Sequence, residues 1–201
     1  KLHNEFAIVL DGVEKDEIKD NYESVVVNKL EDAKFFIQTD TKRPLSSYLE
    51  DLKKIVFHPK WGSIYQRVER LVEIFNGIKD ELNLDDKEVE NVIEILHLCK
   101  NDLATLMVSE FPELQGVIGR LYAEKEGYPE VIYLSIQQHY LPKFTGDQLP
   151  DFKETCIVSI LDRLEVLTGF IIEGVEISGA GDPYGLKKMA NGIVEIIWKK
   201  E

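Results

Sequence analysis

Basic and aromatic side chains between positions 53 and 70 are the residues best suited to bind a charged partner. They are Lys53, Lys54, Lys60, Trp61, Arg67 and Arg70. Cations can contact phosphates, and an aromatic ring among them can stack on an unpaired base. A solvated helix face with Trp61 packed inward would show the same pattern and is the commoner arrangement. The six residues are therefore RNA-contact candidates, and a structural explanation stays open beside that one.

Two carboxylates, those of Asp102 and Glu110, have the chemistry of general acids or bases. A structural hydrogen bond, within its helix or to a neighbour, explains Asp102 better. Glu110 and Glu113 flank Pro112 at a helix start, where negative charge suits the positive end of the helix dipole. The glycine-rich run 178–181 resembles a phosphate-binding loop but lacks the GxxxxGKS or GxxxxGKT pattern and a preceding strand. We predict no catalytic residue.

Composition limits the classes of protein to which the chain can belong. Its 201 residues are 44% hydrophobic and carry a net charge of −13, which argues against a general nucleic-acid binder and a DNA partner. Any RNA contact would have to come from a local basic patch. No apolar run approaches the ~18 residues of a membrane span, and Cys99 and Cys156 fit buried free thiols. A start with neither Met nor a signal peptide is expected of a piece of a larger protein.

Apolar spacing predicts an all-α fold for most of the chain. Residues 1–22 are interpreted as the short β-like end of a preceding domain, and helical periodicity begins at Glu23. A capping-box pattern at Ser63 and Gln66 predicts one helix start. The periodic segments add up to seven or eight helices, with no strand pattern after residue 22.

The chain is organised around two predicted helices that meet at Pro112. Apolar residues from Val89 to Met107 recur at spacings of three, four and seven, which predicts one long helix. Pro112 breaks it and suits the first position of the second helix. Gly116 and Gly119 fall inside that second helix, where a glycine costs about 1 kcal/mol relative to alanine. We therefore expect another backbone to pack closely there.

The same stretch carries a family resemblance. Residues 102–123, DLATLMVSEFPELQGVIGRLYA, are similar to the long central motif of the β subunit of bacterial glycyl-tRNA synthetase, the two-subunit type. Further pieces match that family in the same order: residues 28–69, HYLP at 139–142, GDQLP at 146–150, LDRL at 161–164 and GDPYGL at 181–186. The resemblance covers roughly residues 25 to 197, and EFPELQG is its most specific segment.

The resemblance implies that residues 23–201 form an HD-like helical domain and that residues 1–22 are a remnant of a preceding β-containing domain. It also implies a cytoplasmic enzyme, glycine–tRNA ligase, in which the α subunit uses ATP and Mg²⁺ to activate glycine. The implied partners are that α subunit and tRNA-Gly. This domain would help to position the acceptor arm of the tRNA, and would carry neither chemistry nor a cofactor of its own.

An HD-type metal-dependent phosphohydrolase is the main alternative, because the family region is similar to that superfamily. Such a site needs a His, an adjacent His-Asp pair and a later Asp around divalent metals. His58 could stand near the first position and Asp162 matches the last, but residues 97–98 and 99–100, where the pair should fall, are not His-Asp. We predict no metal site. Asp162 should pair with a nearby Arg or Lys, and His97 should be a partly buried helix residue. A purely structural interaction domain is the third possibility.

Overall fold

A computed structural model describes residues 5–9, 11–12, 16–175, 182 and 184–199. Within those residues the fold is all-α, as predicted, and none of its helices is long and apolar enough to span a membrane. The α-helices are α1 Asp16–Asp40, α2 Ile64–Ile78, α3 Asp86–Leu98, α4 Leu106–Glu110, α5 Val117–Lys125, α6 Glu130–Gln138, α7 Lys153–Ile172 and α8 Leu186–Lys199. The glycine-rich run 178–181 lies outside the described residues.

Short 3-10 helices and one small hairpin connect the α-helices. The 3-10 helices are Leu45–Lys54, Lys79–Glu81, Asn101–Ala104 and Pro112–Leu114. Strands β1, Val56–His58, and β2, Gly62–Ser63, pair antiparallel. The prediction of no strand after residue 22 was wrong here. Pro59 disfavours helix at His58, and Gly62, with φ of +84°, lets the chain turn back.

Helix α1 begins at Asp16, seven residues before the predicted start of the helical part, so the boundary at residue 22 falls inside this helix. Asp16 and Glu17 lie in its first turn, where acidic side chains favour helix formation. At the other end Asp40 is buried, and its carboxylate accepts hydrogen bonds from the amides of Leu106 and Met107. This carboxylate fastens the end of α1 to the start of α4.

Helices α2 and α3 begin where the sequence indicates. The Ser63 side chain accepts from the Gln66 amide and the Gln66 side chain accepts from the Ser63 amide, which confirms the predicted capping box. Asp85 and Glu88 form the same reciprocal pair at the start of α3. Each pair satisfies two amides that would otherwise have no partner in the first helical turn.

The predicted long helix from Val89 to Met107 is interrupted, so that prediction was wrong. Helix α3 ends at Leu98, a 3-10 turn follows, and Thr105 caps α4 by accepting from the amide of Val108. Side chains such as Thr105 compete for backbone groups and favour helix ends. The apolar spacing continues across the interruption because a 3-10 turn of about three residues nearly preserves the helical period.

Helices α5 and α6 pack closely at the two glycines, as expected. Gly116 caps α5 with φ of +79° instead of lying inside the helix. A Cβ there would come within 3.0 Å of the Tyr140 ring and 3.4 Å of the Gln137 Cα. On Gly119 a Cβ would meet the Ile136 Cγ2 at 2.6 Å. Both positions therefore require glycine, the first also for its backbone conformation.

The main core lies where α3 crosses α6 and α7. Its fully buried side chains include Phe75, Ile95, Leu96, Ile132 and Ile136. Two smaller apolar clusters lie at the ends of the domain, one between α7 and α8 and one beneath the hairpin. Cys99 and Cys156 are both buried, as predicted.

Candidate functional site

A buried group of charged side chains occupies the space between α2, α7 and the turn that follows α3. The Lys100 ammonium lies 2.9 Å from His139 Nε2 and donates to Asp162 Oδ2 at 3.1 Å. Arg67 approaches the same carboxylate, with its Nη2 3.0 Å from Asp162 Oδ1. The pairing of Asp162 with Arg or Lys is therefore confirmed. We call Arg67, Lys100, His139 and Asp162 the buried ion cluster.

Local backbone geometry positions each member of this cluster. Lys100 and His139 follow the ends of α3 and α6, where the chain turns inward, while Asp162 projects from the middle of α7. His139 Nδ1 lies 2.8 Å from the carbonyl oxygen of Ile136, which makes Nδ1 the protonated nitrogen. Its Nε2 is then an acceptor, and Lys100 donates to both neighbours.

The electrostatics of the cluster follow from its burial and its cations. Burial disfavours the Asp162 carboxylate, but the charges of Arg67 and Lys100 outweigh that cost and hold its pKa below the usual range. Burial, followed by the charge of Lys100, lowers the pKa of His139 to about 3. At neutral pH the cluster therefore contains two cations, one carboxylate and a neutral imidazole.

The ammonium of Lys100, which belongs to the chain itself, lies between His139 and Asp162. Within the described residues no three His, Cys, Asp or Glu side chains form a group that could hold a metal ion. His58 packs elsewhere, with its ring 4.2 Å from that of Trp61. His97 is partly buried on α3, as predicted. The arrangement can hold helices together, and it presents neither a nucleophile next to a base nor an open ligand position.

Sequence reasoning missed His139 and Lys100 as members of a site. His139 entered only as part of the HYLP segment, and Lys100 only as a residue standing where a His-Asp pair was absent. The available signal was a lysine among apolar residues at the end of α3. Its partners are 39 and 62 residues away along the chain, so their pairing required the fold.

Arg67 and Arg70, two of the RNA-contact candidates, hold the carboxylate of Glu165 on α7. Arg67 Nε lies 3.0 Å from Glu165 Oε2, and Arg70 Nη2 lies 2.7 Å from Oε1. Arg67 is only 7% exposed. Its guanidinium therefore belongs to the core of the domain, where a phosphate cannot reach it without breaking these ion pairs.

Trp61 packs inward, as the structural explanation of the basic segment proposed. Its ring lies against Phe170, with centroids 4.8 Å apart, and its Nε1 donates to Glu173 Oε1 at 2.9 Å. A Cβ on Gly169 would come within 2.6 Å of the indole, so α7 leaves room for this ring. The exposed Lys60 ammonium lies 3.3 Å from Glu173 Oε2.

The two remaining candidates are surface lysines. Lys53 and Lys54 pair with Glu50 and Asp51 one turn earlier, at 2.7 Å each. The Lys53 ammonium also lies 4.4 Å from the centre of the Tyr65 ring. Exposed pairs of this kind contribute little to stability, so these cations are available for a partner. Of the six RNA-contact candidates, the structure thus leaves three at the surface: Lys53, Lys54 and Lys60.

Asp102 has the structural role that its sequence context indicated, although its partners lie on the next helix. Its buried Oδ2 accepts from the amides of Gly116 at 2.5 Å and Gly119 at 3.1 Å, at the start of α5. Burial raises the pKa of this carboxyl to about 6. Glu110 ends α4 instead of starting a helix, and it pairs with Lys29 of α1.

Comparison of the sequence with known proteins identifies relatives of the chain. A family model described as glycyl-tRNA synthetase beta subunit matches residues 1–201. The chain is 39% identical over 203 residues to the glycine–tRNA ligase beta subunit of Thermodesulfovibrio yellowstonii, covering 100% of this chain and 30% of the relative. Identity to the Clostridioides difficile protein of that name is 41% over 191 residues, covering 95% and 28%. For the Trichodesmium erythraeum protein it is 41% over 176 residues, covering 88% and 24%. The chain spans less than a third of the length of these relatives, and it belongs to the bacterial glycyl-tRNA synthetase β-subunit family.

Proposed function

We propose that this domain serves glycine–tRNA ligase by helping to position the acceptor arm of tRNA-Gly, while glycine activation with ATP and Mg²⁺ takes place on the α subunit. The family assignment is the observation that carries this proposal. The enzyme would work in the cytoplasm as an assembly of α and β subunits. The domain would carry no chemistry of its own, because the side chains of its buried ion cluster are engaged with one another.

The surface lysines Lys53, Lys54 and Lys60 are the proposed contacts to tRNA phosphates. They lie on one segment around the hairpin, and each cation is exposed beside a carboxylate that it can leave at small cost. In a chain of net charge −13 such a patch provides a local point of attraction on a surface that otherwise repels RNA.

The test is steady-state glycylation by the complete enzyme with Lys53, Lys54 and Lys60 all changed to Glu. We expect a higher KM for tRNA-Gly, an unchanged rate of tRNA-independent ATP–pyrophosphate exchange, and a shallower salt dependence of tRNA binding. Each lost phosphate contact should reduce the log–log salt slope by about 0.7–0.9. The matched control changes Lys34, Lys87 and Lys125 to Glu, three lysines that are exposed elsewhere on the domain.

An unchanged KM and salt slope in the triple variant would contradict the RNA contact. The purely structural interaction domain would then be the better description, supported by the ion pairs of Arg67 and Arg70 and by the hydrogen bond of Trp61. An equal effect of the control variant would also contradict the proposal, because it would trace the effect to net charge alone.

A further inference from the structure

A cavity of about 430 Å³ opens on the outer side of the buried ion cluster. His139, Asp162 and Arg163 form part of its wall, and residues of α8 and of the loop after α6 form its mouth. Its volume lies in the range of about 300–1,000 Å³ that small-molecule sites occupy. None of the RNA-contact candidates lines it.

Arg163 brings an unneutralised positive charge to the floor of this cavity. It is 8% exposed, and its guanidinium donates to backbone carbonyl oxygens, among them those of Tyr140 and Pro142 at 3.1 Å. No carboxylate within the described residues lies within ion-pair distance of Arg163. Burial lowers the pKa of its guanidinium more than the charge of the neighbouring Asp162 raises it, which reflects the cost of holding this charge in the interior. An anion entering the cavity would reduce that cost.

Two exposed lysines stand at the mouth of the cavity. Lys143 follows the cis Leu141–Pro142 bond and Lys188 lies in the first turns of α8. Neither makes an ion pair with a carboxylate in the part of the chain that the structure describes. Asp147 lies beside them, and its carboxylate accepts from the amide of Lys143 at 2.8 Å.

The local charge around the cavity has the opposite sign to that of the whole chain. The residues that line the cavity include three cations, Lys143, Arg163 and Lys188, and two carboxylates, Glu113 and Asp162. The lining therefore carries a small positive excess in a chain of net charge −13. A cleft lined by one sign of charge concentrates ligands of the opposite sign.

An aromatic ring supplies a second kind of contact. The Tyr184 ring stacks on Phe170, with centroids 4.2 Å apart and planes inclined by 28°. Phe170 covers one face of that ring, while Tyr184 as a whole stays 50% exposed at the cavity wall. Nucleobases stack on such open aromatic faces.

We propose that this cavity binds a nucleotide through its phosphate and its base. Lys143 and Lys188 contact the phosphate, Arg163 supplies charge from below, and the base lies against Tyr184. A free mononucleotide and the end of an RNA strand present the same chemistry. The site binds without reacting, and it is separate from the lysines that the proposed function uses.

The experiment is calorimetric titration of the 201-residue chain with AMP, with adenosine, and with a 5′-phosphorylated RNA tetranucleotide. We expect saturable one-to-one binding of AMP or the tetranucleotide, much weaker binding of adenosine, and weakening with added salt. The variant with both Lys143→Glu and Lys188→Glu should bind at least about tenfold more weakly, which is about 1.4 kcal/mol. Tyr184→Ala should weaken binding of the base-bearing ligands. The control Lys199→Glu, on the same helix α8 but away from the cavity, should bind as the unchanged chain does.

The two ligands separate the two sources. Tighter binding of AMP than of the tetranucleotide assigns the site to a free nucleotide, and the reverse order assigns it to an RNA end. The proposal is overturned if neither ligand binds, or if the double variant, shown to be folded by its circular dichroism, binds as tightly as the control. Changing Lys53, Lys54 and Lys60 should leave AMP binding intact, which keeps this result independent of the tRNA contact.

Discussion

Replacement of Lys100 by methionine removes the buried ammonium while keeping a side chain of similar length. Lys100 is 2% exposed and contacts both His139 and Asp162, so its loss leaves a buried carboxylate with Arg67 as its remaining cation. Removing one partner of a buried ion pair costs about 3–5 kcal/mol. Because Arg67 stays 3.0 Å from Asp162 Oδ1, we expect the lower end of that range.

The dependence of this loss on pH gives the prediction its specific signature. Burial and Lys100 together lower the pKa of His139 to about 3, so the unfolded chain, with a His pKa near 6.5, binds more protons. The native chain therefore loses stability as pH falls from about 6.5 towards 3. Without Lys100 the pKa of His139 should rise, and the protonated ring can pair with Asp162. The destabilisation by Lys100→Met should thus be smaller at pH 5 than at pH 7.5.

Urea unfolding followed by circular dichroism at both pH values measures this effect. The control is Lys54→Met, which removes an exposed lysine and should leave the midpoint unchanged at either pH. In the double variant Lys100→Met with Asp162→Asn, the losses should be less than additive, because the second change removes the charge left unpaired by the first. A loss of under about 1 kcal/mol, or equal losses at the two pH values, would refute the account of Lys100 as the cation of the cluster.

Three further predictions follow from other contacts. Arg67→Met should destabilise the domain by about 3 kcal/mol in urea unfolding, whereas Lys60→Met, which removes an exposed cation, should leave the midpoint nearly unchanged; equal effects would contradict the assignment of Arg67 to the core. Gly119→Ala should cost about 1–3 kcal/mol, because its Cβ would lie 2.6 Å from a methyl group of α6. Gly77→Ala, on α2 with open space around it, should stabilise by about 0.5–1 kcal/mol, and destabilisation there would show that the packing is misjudged. The pKa of Asp102 is raised to about 6 in the folded chain, so the folded chain holds this proton more tightly than the unfolded chain does. The stability that Asp102 contributes through this difference is therefore lost as pH rises from about 4 to 6. The native chain should therefore lose up to about 2–3 kcal/mol of its stability advantage over the Asp102→Asn variant across that window, at about 1.4 kcal/mol per pKa unit. An advantage that is constant with pH would contradict the raised pKa.

Local features of this fold could be predicted because they depend on neighbouring residues. The capping box at Ser63 and Gln66 and the break at Pro112 rest on hydrogen bonds and steric limits within one turn. The break between α3 and α4 could not be found in the same way. Thr105 caps α4 locally, but the amides of Leu106 and Met107 are satisfied by the Asp40 carboxylate of α1, a partner that only the fold brings there.

The candidate site was harder to predict because charged residues are ordinarily exposed. Lys, Arg and Asp at helical spacing therefore indicate a solvated face, and Arg67 was grouped with surface lysines on that ground. Only the fold brings Arg67 within reach of Asp162 and Glu165, which lie more than 90 residues away along the chain. The resemblance identified the family, but pairing across such distances requires coordinates.

The length of helix α1 means that a small rotation at its Asp40 end moves its Asp16 end by a larger distance. Its 25 residues span about 37 Å at 1.5 Å per residue. The ion pair of Lys29 with Glu110 and the hydrogen bonds of the Asp40 carboxylate join the second half of α1 to α4, so the Asp16 end lies farthest from this attachment. Rotation by about 5° around Asp40 would displace Asp16 by about 3 Å, given the helical rise. A rotation too small to disturb the hydrogen bonds of the Asp40 carboxylate therefore becomes a displacement of atomic size at Asp16.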